Sequence, residues 1–301
     1  MENNCYFVCS RGLLKSCNFH SPKPISSCRT DVTYLYNMLL SNKMFNGMSI
    51  YVCSDLLRFF VNKILLNLTH TFVLVTGDSD LCVPKEALTK EETLILLNSK
   101  LLLKWYTQNS RVQENNKIIQ IPIGLDYHTI LRNPNSSWRL SEEGILPKQQ
   151  ENILIDIIKS AKPFYERNTK IYVNFTIKSD RFNQRQSALD TIPNELMDIN
   201  TNFIVRSQTW KNMINYTFVL SPTGIGLDCH RTWEALCLGC IPIVCVKEFT
   251  TMFNELPVLV ISNWNEVTKE LLENTIKDFK NRTFNKEKLT LKYWIRNITK
   301  L

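Results

Sequence analysis

Ser221-Pro-Thr-Gly-Ile-Gly-Leu-Asp-Cys-His-Arg-Thr-Trp-Glu-Ala-Leu236 places two glycines ahead of Asp228, His230, Arg231 and Glu234. An apolar run, Tyr216 to Leu220, precedes it, and a second, Ile241 to Val246, follows Gly239-Cys240. Strand, small-residue loop, helix and strand thus fall within the span of one βαβ unit. A helix that starts here points free backbone N–H groups and a partial positive charge at the loop Ser221, Gly224, Gly226. Phosphate or diphosphate binds well at such a place. Asp228 is expected to cap the helix. Arg231 and Glu234 are three apart and share a face, a cation for diphosphate beside a carboxylate for a ribose diol. A purely structural βαβ turn is the competing reading. The third glycine of the dinucleotide fingerprint is missing, and the absence of Gly-Lys-Ser/Thr excludes a P-loop. His230 could touch phosphate or sugar, or hold the helix end. Trp233 reads as core.

The elements that must position these residues alternate along the chain. Candidate strands in the first half are Cys5–Ser10, Ser49–Cys53, Thr71–Thr76 and Lys117–Ile123; helical patterns lie near Asp31–Leu40, Asp55–Leu66, Lys85–Leu97 and Ser99–Tyr106. Short apolar runs between amphipathic helices predict parallel sheets. Ligands of open α/β sheets sit at the carboxyl ends of the strands. Polar clusters fall there, at Ser10-Arg11-Gly12, Ser54-Asp55, Gly77-Asp78-Ser79-Asp80 and Gly124-Leu-Asp126-Tyr-His128.

Arg132 to Gln150 turns to Asn, Pro, Ser and Gly and reads as a linker. A second alternation follows: helix Gln149–Ala161, strand Lys170–Phe175, helix Asn183–Asp190, strand Asn202–Arg206, helix Gln208–Asn212 and strand Tyr216–Leu220. Strand Val258–Ser262 and helix Asn265–Lys280 close it. The expected fold is α/β, two Rossmann-like domains with a cleft between them, over residues 1–140 and 141–280. Residues 281–301 form an amphipathic tail able to pack back on the first domain.

The chain has 301 residues, 44% of them apolar, and a formal charge of +8. Its basic residues are scattered, without a run interleaved with aromatics, so nucleic-acid binding is not expected. No segment approaches 18 apolar residues, so no membrane span is expected. The start lacks a signal-peptide pattern, which leads to a cytoplasmic expectation with ten free, mostly buried thiols. Six Asn-x-Ser/Thr sequons then reflect an Asn-rich composition. Abundant Asn, Lys and Ile suggest an AT-rich source such as a parasite or large virus. The CxxC at Cys237 and Cys240 sits at a helix C-terminus, where no thiolate is stabilised, and reads as buried packing.

The long motif, continued through Gly239-Cys-Ile-Pro-Ile-Val244, resembles the C-terminal signature of exostosin-type glycosyltransferases. It is most similar to short exostosin-like proteins of large DNA viruses and algae. Val75-Thr-Gly-Asp-Ser-Asp80, Trp105-Tyr-Thr-Gln-Asn109, Ile121-Pro-Ile-Gly-Leu-Asp-Tyr-His128, Ile171-Tyr-Val-Asn-Phe175 and Leu256-Pro-Val-Leu-Val260 with Trp264 share it. The resemblance spans roughly residues 70 to 275 and implies a GT-B fold. It also implies transfer from a nucleoside-diphosphate sugar to a glycan or glycoprotein hydroxyl, with inversion and without a metal or other cofactor. In a viral source the site of action is the host cytoplasm. Animal members carry a membrane anchor and often a second catalytic domain; neither is visible here, so heparan-type substrates are not expected.

For such a reaction the leaving diphosphate must be stabilised and the acceptor hydroxyl must lose a proton. The resemblance puts a nucleotide-binding acid at Glu234, an Arg231–Glu234 salt bridge being the structural alternative. Arg181 and Arg185, four apart, are expected on one helix face as further donor-binding cations, or as a solvated face. The general base is expected among Asp78, Asp80, Asp126 and His128. Two other readings remain open. Asp78-Ser-Asp80 has the D-x-D form that holds a divalent ion in GT-A transferases, and the protein could be an inactive glycan- or nucleotide-sugar-binding relative.

Overall fold

The computed structural model describes residues 2–22, 32–112, 115–132, 146–200, 202, 204–246 and 250–300. It is an α/β protein with two all-parallel sheets. Strands β1 (Met48–Cys53), β2 (Phe72–Gly77), β3 (Leu102–Thr107) and β4 (Ile118–Gln120) lie side by side in chain order. Strands β5 (Asn168–Val173), β6 (Met197–Ile199), β7 (Tyr216–Leu220), β8 (Ile241–Val244) and β9 (Leu259–Val260) lie in the order β6-β5-β7-β8-β9. All six residues of both β1 and β2 are buried, the signature of parallel strands covered on both faces.

Side-chain alternation sends each sheet's two faces into different cores. Ile50, Val52, Leu74 and Trp105 pack under Leu35, Phe60, Ile64 and Leu96. The opposite face, Tyr51, Val73, Val75 and Tyr106, joins a cluster that also holds Tyr172 and Val219 of the second sheet, with Leu154, Trp210, Trp233 and Trp294. One continuous apolar core therefore connects the two sheets. The outer face of the second sheet, with Ile171, Phe218, Leu220 and Ile243, closes over Ala188, Leu272 and Phe279.

Three expected elements differ. The stretch expected as helix Ser99–Tyr106 instead turns into strand β3 from Leu102: an apolar run this short fits either period, and pairing with β2 decides it. Cys5–Ser10 makes only single bridges, Phe7 to Thr290 and Cys9 to Gly124, before the helix Ser10–Lys15. Its donors are already used. The N–H groups of Tyr6 and Phe7 donate to the fully buried Glu151 carboxylate at 2.7 and 3.0 Å, and that of Val8 to Leu289 O at 2.9 Å. The strand expected at 202–206 is displaced to β6, and Arg206 instead opens the helix Arg206–Met213.

The other elements form with shifted ends. Residues 54–67 wind irregularly, with a π-wound stretch at Phe60–Ile64. Leu291–Thr299 is a helix whose neighbours include the N-terminal segment and β3, through Leu291 N–H to Tyr6 O at 2.9 Å and Tyr106 Oη–H to Asn297 O at 2.7 Å. Most of the linker expected at 132–150 lies outside the described residues. Among the described residues no helix is long and apolar enough to cross a membrane.

Candidate functional site

The loops that follow the strands of one sheet touch those of the other. Asp80 and Asn109, beyond β2 and β3, pack against Gly226 beyond β7. A Cβ built there would lie 3.0 Å from Asp80 Oδ1 and 3.2 Å from Asn109 Nδ2, closer than side chains ordinarily approach, so a larger residue would push these groups aside. Asp228 N–H donates to Asn109 Oδ1 at 2.9 Å. His230 Nδ1 lies 2.6 Å from Gly124 O.

The glycine loop is held from within and across. Ser221 Oγ and Thr232 Oγ1 are 2.8 Å apart, which fastens the loop to the helix His230–Cys237. Gly224 N–H donates to Gly226 O, and Arg181 N–H to Gly224 O. Asp228 does not cap that helix: Cys229 occupies the N-cap position and supplies no side-chain bond. The buried Asp228 carboxylate instead accepts the Ile123 N–H at 2.8 Å and the Trp233 indole N–H at 2.9 and 3.0 Å. Burial pushes this carboxyl up to about 6, opposed by Ile123 N–H, Trp233 and His230.

Five charged or titratable groups from both halves gather beside this junction. Asp126 Oδ1 lies 3.1 Å from His128 Nδ1, and Asp126 Oδ2 lies 3.4 Å from Arg206 Nη2. Arg206 Nη1 also donates to the Asp126 carbonyl and, at 3.1 Å, to Gln150 Oε1. Its Nε is 3.9 Å from Glu234 Oε1. The rings of His128 and His230 are 6.3 Å apart. Burial acts to raise the Asp126 carboxyl, but His128, His230, Arg206 and the Thr129 hydroxyl outweigh it and hold it well below the usual range. Glu234 thus pairs with Arg206 rather than forming the internal pair with Arg231 that its spacing allowed.

Arg231 and Arg185 converge on one ring. Their guanidinium carbons lie 5.0 and 5.6 Å from the Phe175 centroid, just past the end of β5. Arg185 is tied to the Thr176 and Thr223 carbonyls at 2.6 and 3.3 Å. Arg231 Nη1 is buried and meets no hydrogen-bond partner among the described residues. Burial, with Arg185 adding to it against Cys229 and Glu234, pushes Arg231 down to about 10. It remains a cation at neutral pH.

The other expected residues divide. Asp78 adopts a left-handed backbone (φ 57°) and forms a buried ion pair with Arg11 at 3.1 Å. Asp80 is exposed, yet atoms crowded about its carboxyl raise its pKa above the ordinary value. Asp55 adds to this, and His230 and Arg181 oppose it. Arg181 precedes the helix Gln184–Thr191 and so shares no helix face with Arg185; it grips Glu86 with bonds of 2.7 and 3.1 Å. The nine described cysteines are free thiols. Among them, Cys240 accepts from Arg167 Nη1 at 3.3 Å and lies against Met213 O.

Sequence reasoning missed Arg206 and Asn109. Arg206 was placed at a strand end, and only its position opening a helix after an extended segment marked it. Asn109 carried a signal, since asparagine tolerates the positive φ it adopts, 51°. Comparison with protein-family models and with curated proteins finds no match.

Proposed function

We propose that this protein is a glycosyltransferase of GT-B type that takes a nucleoside-diphosphate sugar and passes the sugar, with inversion, to a hydroxyl acceptor. The motif's resemblance to exostosin-type transferases motivates the reading. The observation that carries it is Arg231, whose buried Nη1 meets no hydrogen-bond partner among the described residues and which shares the Phe175 ring with Arg185. A buried donor left unmade costs free energy, and a diphosphate oxygen would satisfy it. The N-terminus of the helix His230–Cys237 adds its N–H groups and positive end.

The chemistry then divides across the junction. Arg231, Arg185 and the loop Gly224–Gly226 stabilise the leaving diphosphate. Glu234, its Oε1 3.9 Å from Arg206 Nε, takes the ribose diol. On the acceptor side, Asp126 orients His128 as a carboxylate orients a catalytic histidine. An Nδ1–H donated to Asp126 makes Nε2 the basic nitrogen. Asp80, with its raised pKa, is the second candidate base. Asp78 is engaged by Arg11, which argues against a D-x-D metal pair.

A thermal-shift screen tests the reading. The intact protein is heated with nucleoside diphosphates and nucleotide sugars, with and without EDTA. A donor that binds the native state raises the melting temperature by mass action. The expected result is a shift with one nucleotide sugar, unchanged by EDTA and lost in Glu234→Ala. A shift that requires a divalent cation overturns the metal-independent site, and no shift with any donor overturns the transferase reading.

A further inference from the structure

A cavity of about 580 Å3 lies on the free-edge side of the second sheet, between β6 and the far end of the helix Arg206–Met213. None of the residues assigned above lines it. Its size falls within the roughly 300–1,000 Å3 of small-molecule sites. Its apolar surface comes from Ile199 and two tyrosines: Tyr172 and Tyr216 are tilted toward each other at 36°, with ring centroids 5.2 Å apart. The rest of the wall is mainly amide, from Asn200, Asn202, Asn212 and Asn215, with the Asp198 carboxylate.

The amides are held in place by the protein. Asn200 Oδ1 accepts from Asn202 N–H at 3.1 Å, and Asn212 Oδ1 from Gln208 Nε2 at 2.9 Å. Each therefore presents its Nδ2–H groups as the remaining end. Asn215 is held the other way, Nδ2 donating to Lys211 O at 3.0 Å, and presents its oxygen. The Tyr172 hydroxyl is buried and meets no hydrogen-bond partner of good geometry among the described residues. The amides of Asn212 and Asn200 lie near enough to offset part of the rise in pKa that burial causes. Among the described lining residues Asp198 is the one charged group; Lys170 Nζ neutralises it from outside at 3.0 Å, and the Tyr216 hydroxyl bonds to it from within.

This chemistry selects a ligand. No cation in the lining awaits phosphate or carboxylate. A wholly apolar ligand would strip water from the exposed amide groups without replacing their bonds. A molecule with paired donor–acceptor hydroxyls on its rim and an apolar C–H face satisfies both the amides and the tyrosine rings. We infer that this cavity is a binding site for a neutral carbohydrate, separate from the junction of the two sheets. The inference stands on the cavity's own lining and does not require the transferase reading.

Saturation-transfer NMR on the intact protein tests it, with methyl α-glucoside, methyl α-mannoside, methyl β-galactoside, xylose and diacetylchitobiose as probes. At least one is expected to bind at about millimolar affinity, as befits an open site with few hydrogen bonds. Binding should weaken about 5- to 10-fold in Asn212→Ala, the worth of one or two hydrogen bonds. It should weaken similarly in Tyr216→Leu, which keeps an apolar residue in the strand. Nucleoside diphosphates should not displace the sugar. Failure of every probe to bind overturns the inference, as does equal binding by wild type and Asn212→Ala, whose half-exposed side chain can be removed without a core defect. Displacement by a nucleoside diphosphate overturns it too, by moving the sugar to the junction.

Discussion

The Asp228 carboxylate, in the loop after β7, accepts the backbone N–H of Ile123, beyond β4, at 2.8 Å. The same carboxylate holds the indole of Trp233, at the heart of the shared core. One side chain thus ties the first sheet's loops to the motif helix. Asp228→Ala leaves three donors unmade, the buried Trp233 indole and the part-buried N–H groups of Ile123 and Cys229, and should cost about 2–4 kcal/mol of unfolding free energy. Urea denaturation checks this; a loss below about 1 kcal/mol would mean that water replaces the carboxylate and that the tie is incidental.

The same group makes stability depend on pH with an unusual sign. Burial raises Asp228 to about 6, whereas an unfolded aspartate titrates near about 3.9. Between those values the native chain keeps a proton that the unfolded chain releases. Stability from this group therefore falls as pH rises through the window, by about 3 kcal/mol in all. Asp126 works in the opposite direction: its depressed pKa contributes stability above the unfolded value that is lost as pH falls. In Asp228→Asn the downward slope disappears. Unfolding free energies of variant and wild type, measured from about pH 4 to pH 7, should diverge in the variant's favour. Parallel curves would show that Asp228 is ionised in the native protein throughout.

Arg231 predicts a trade of stability against binding. Its buried Nη1 lacks a hydrogen-bond partner among the described residues, while its guanidinium lies over Phe175. Arg231→Met keeps a long side chain there and removes a desolvated charge. The unliganded variant should be as stable as wild type or more so, by up to about 1–2 kcal/mol. Its affinity for nucleoside diphosphates should fall at least about tenfold, one charge-assisted hydrogen bond. Melting curves with and without nucleotide separate the two effects. A destabilised variant with unchanged affinity would make Arg231 a structural residue.

Gly226 predicts a steric effect confined to the junction. A methyl group there meets Asp80 Oδ1 at 3.0 Å and Asn109 Nδ2 at 3.2 Å. Asp80 is exposed and can swing away, so Gly226→Ala should cost only about 1–2 kcal/mol of stability. The displaced carboxylate and loop should lower turnover by a larger factor, about tenfold or more, because small misplacements are costly to rate. A variant with wild-type turnover would show that neither Asp80 nor the loop must hold this position.

How much of this could be read from residue order depends on the range of the forces involved. Tyr216–Leu220 and the helix after it are visible because a buried strand and a motif rich in small and charged residues are local patterns. Residues 99–106 are not: Leu101 to Tyr106 suits either period, and the partner that decides, β2, is more than twenty residues away. Asp126, His128 and His230 could be named as polar residues after strands. Their closeness to Arg206 is a tertiary fact, and nothing in Val205-Arg206-Ser207 encodes a partner 80 residues earlier. Asp228 was visible as a polar residue before a helix, but a nearer cap position and a distant donor competed for it, and the distant donor won. Arg181 was misplaced for a similar reason: it lies ahead of the helix that its spacing from Arg185 implied, and Glu86 in the other half claims it.

The choice of base rests on His128 and Asp80, and three variants separate them. His128 faces Asp126 at 3.1 Å, and Asp126 is in turn fixed by Arg206. If His128 takes the acceptor's proton, His128→Gln should lower turnover about 10²- to 10⁴-fold. Donor binding, measured by thermal shift, should be unchanged, because His128 lies on the acceptor side. Asp126→Asn should lower turnover too, since the amide no longer favours a proton on Nδ1 and the basic nitrogen is lost. Asp80→Asn should then leave most of the activity. The reverse pattern, with Asp80→Asn inactive and His128→Gln active, would assign the base to Asp80 and leave His128 as a partner that keeps Asp126 ionised. Loss of donor binding in all three would mean that the two halves of the junction cannot be separated, and that no acceptor-side base has been found.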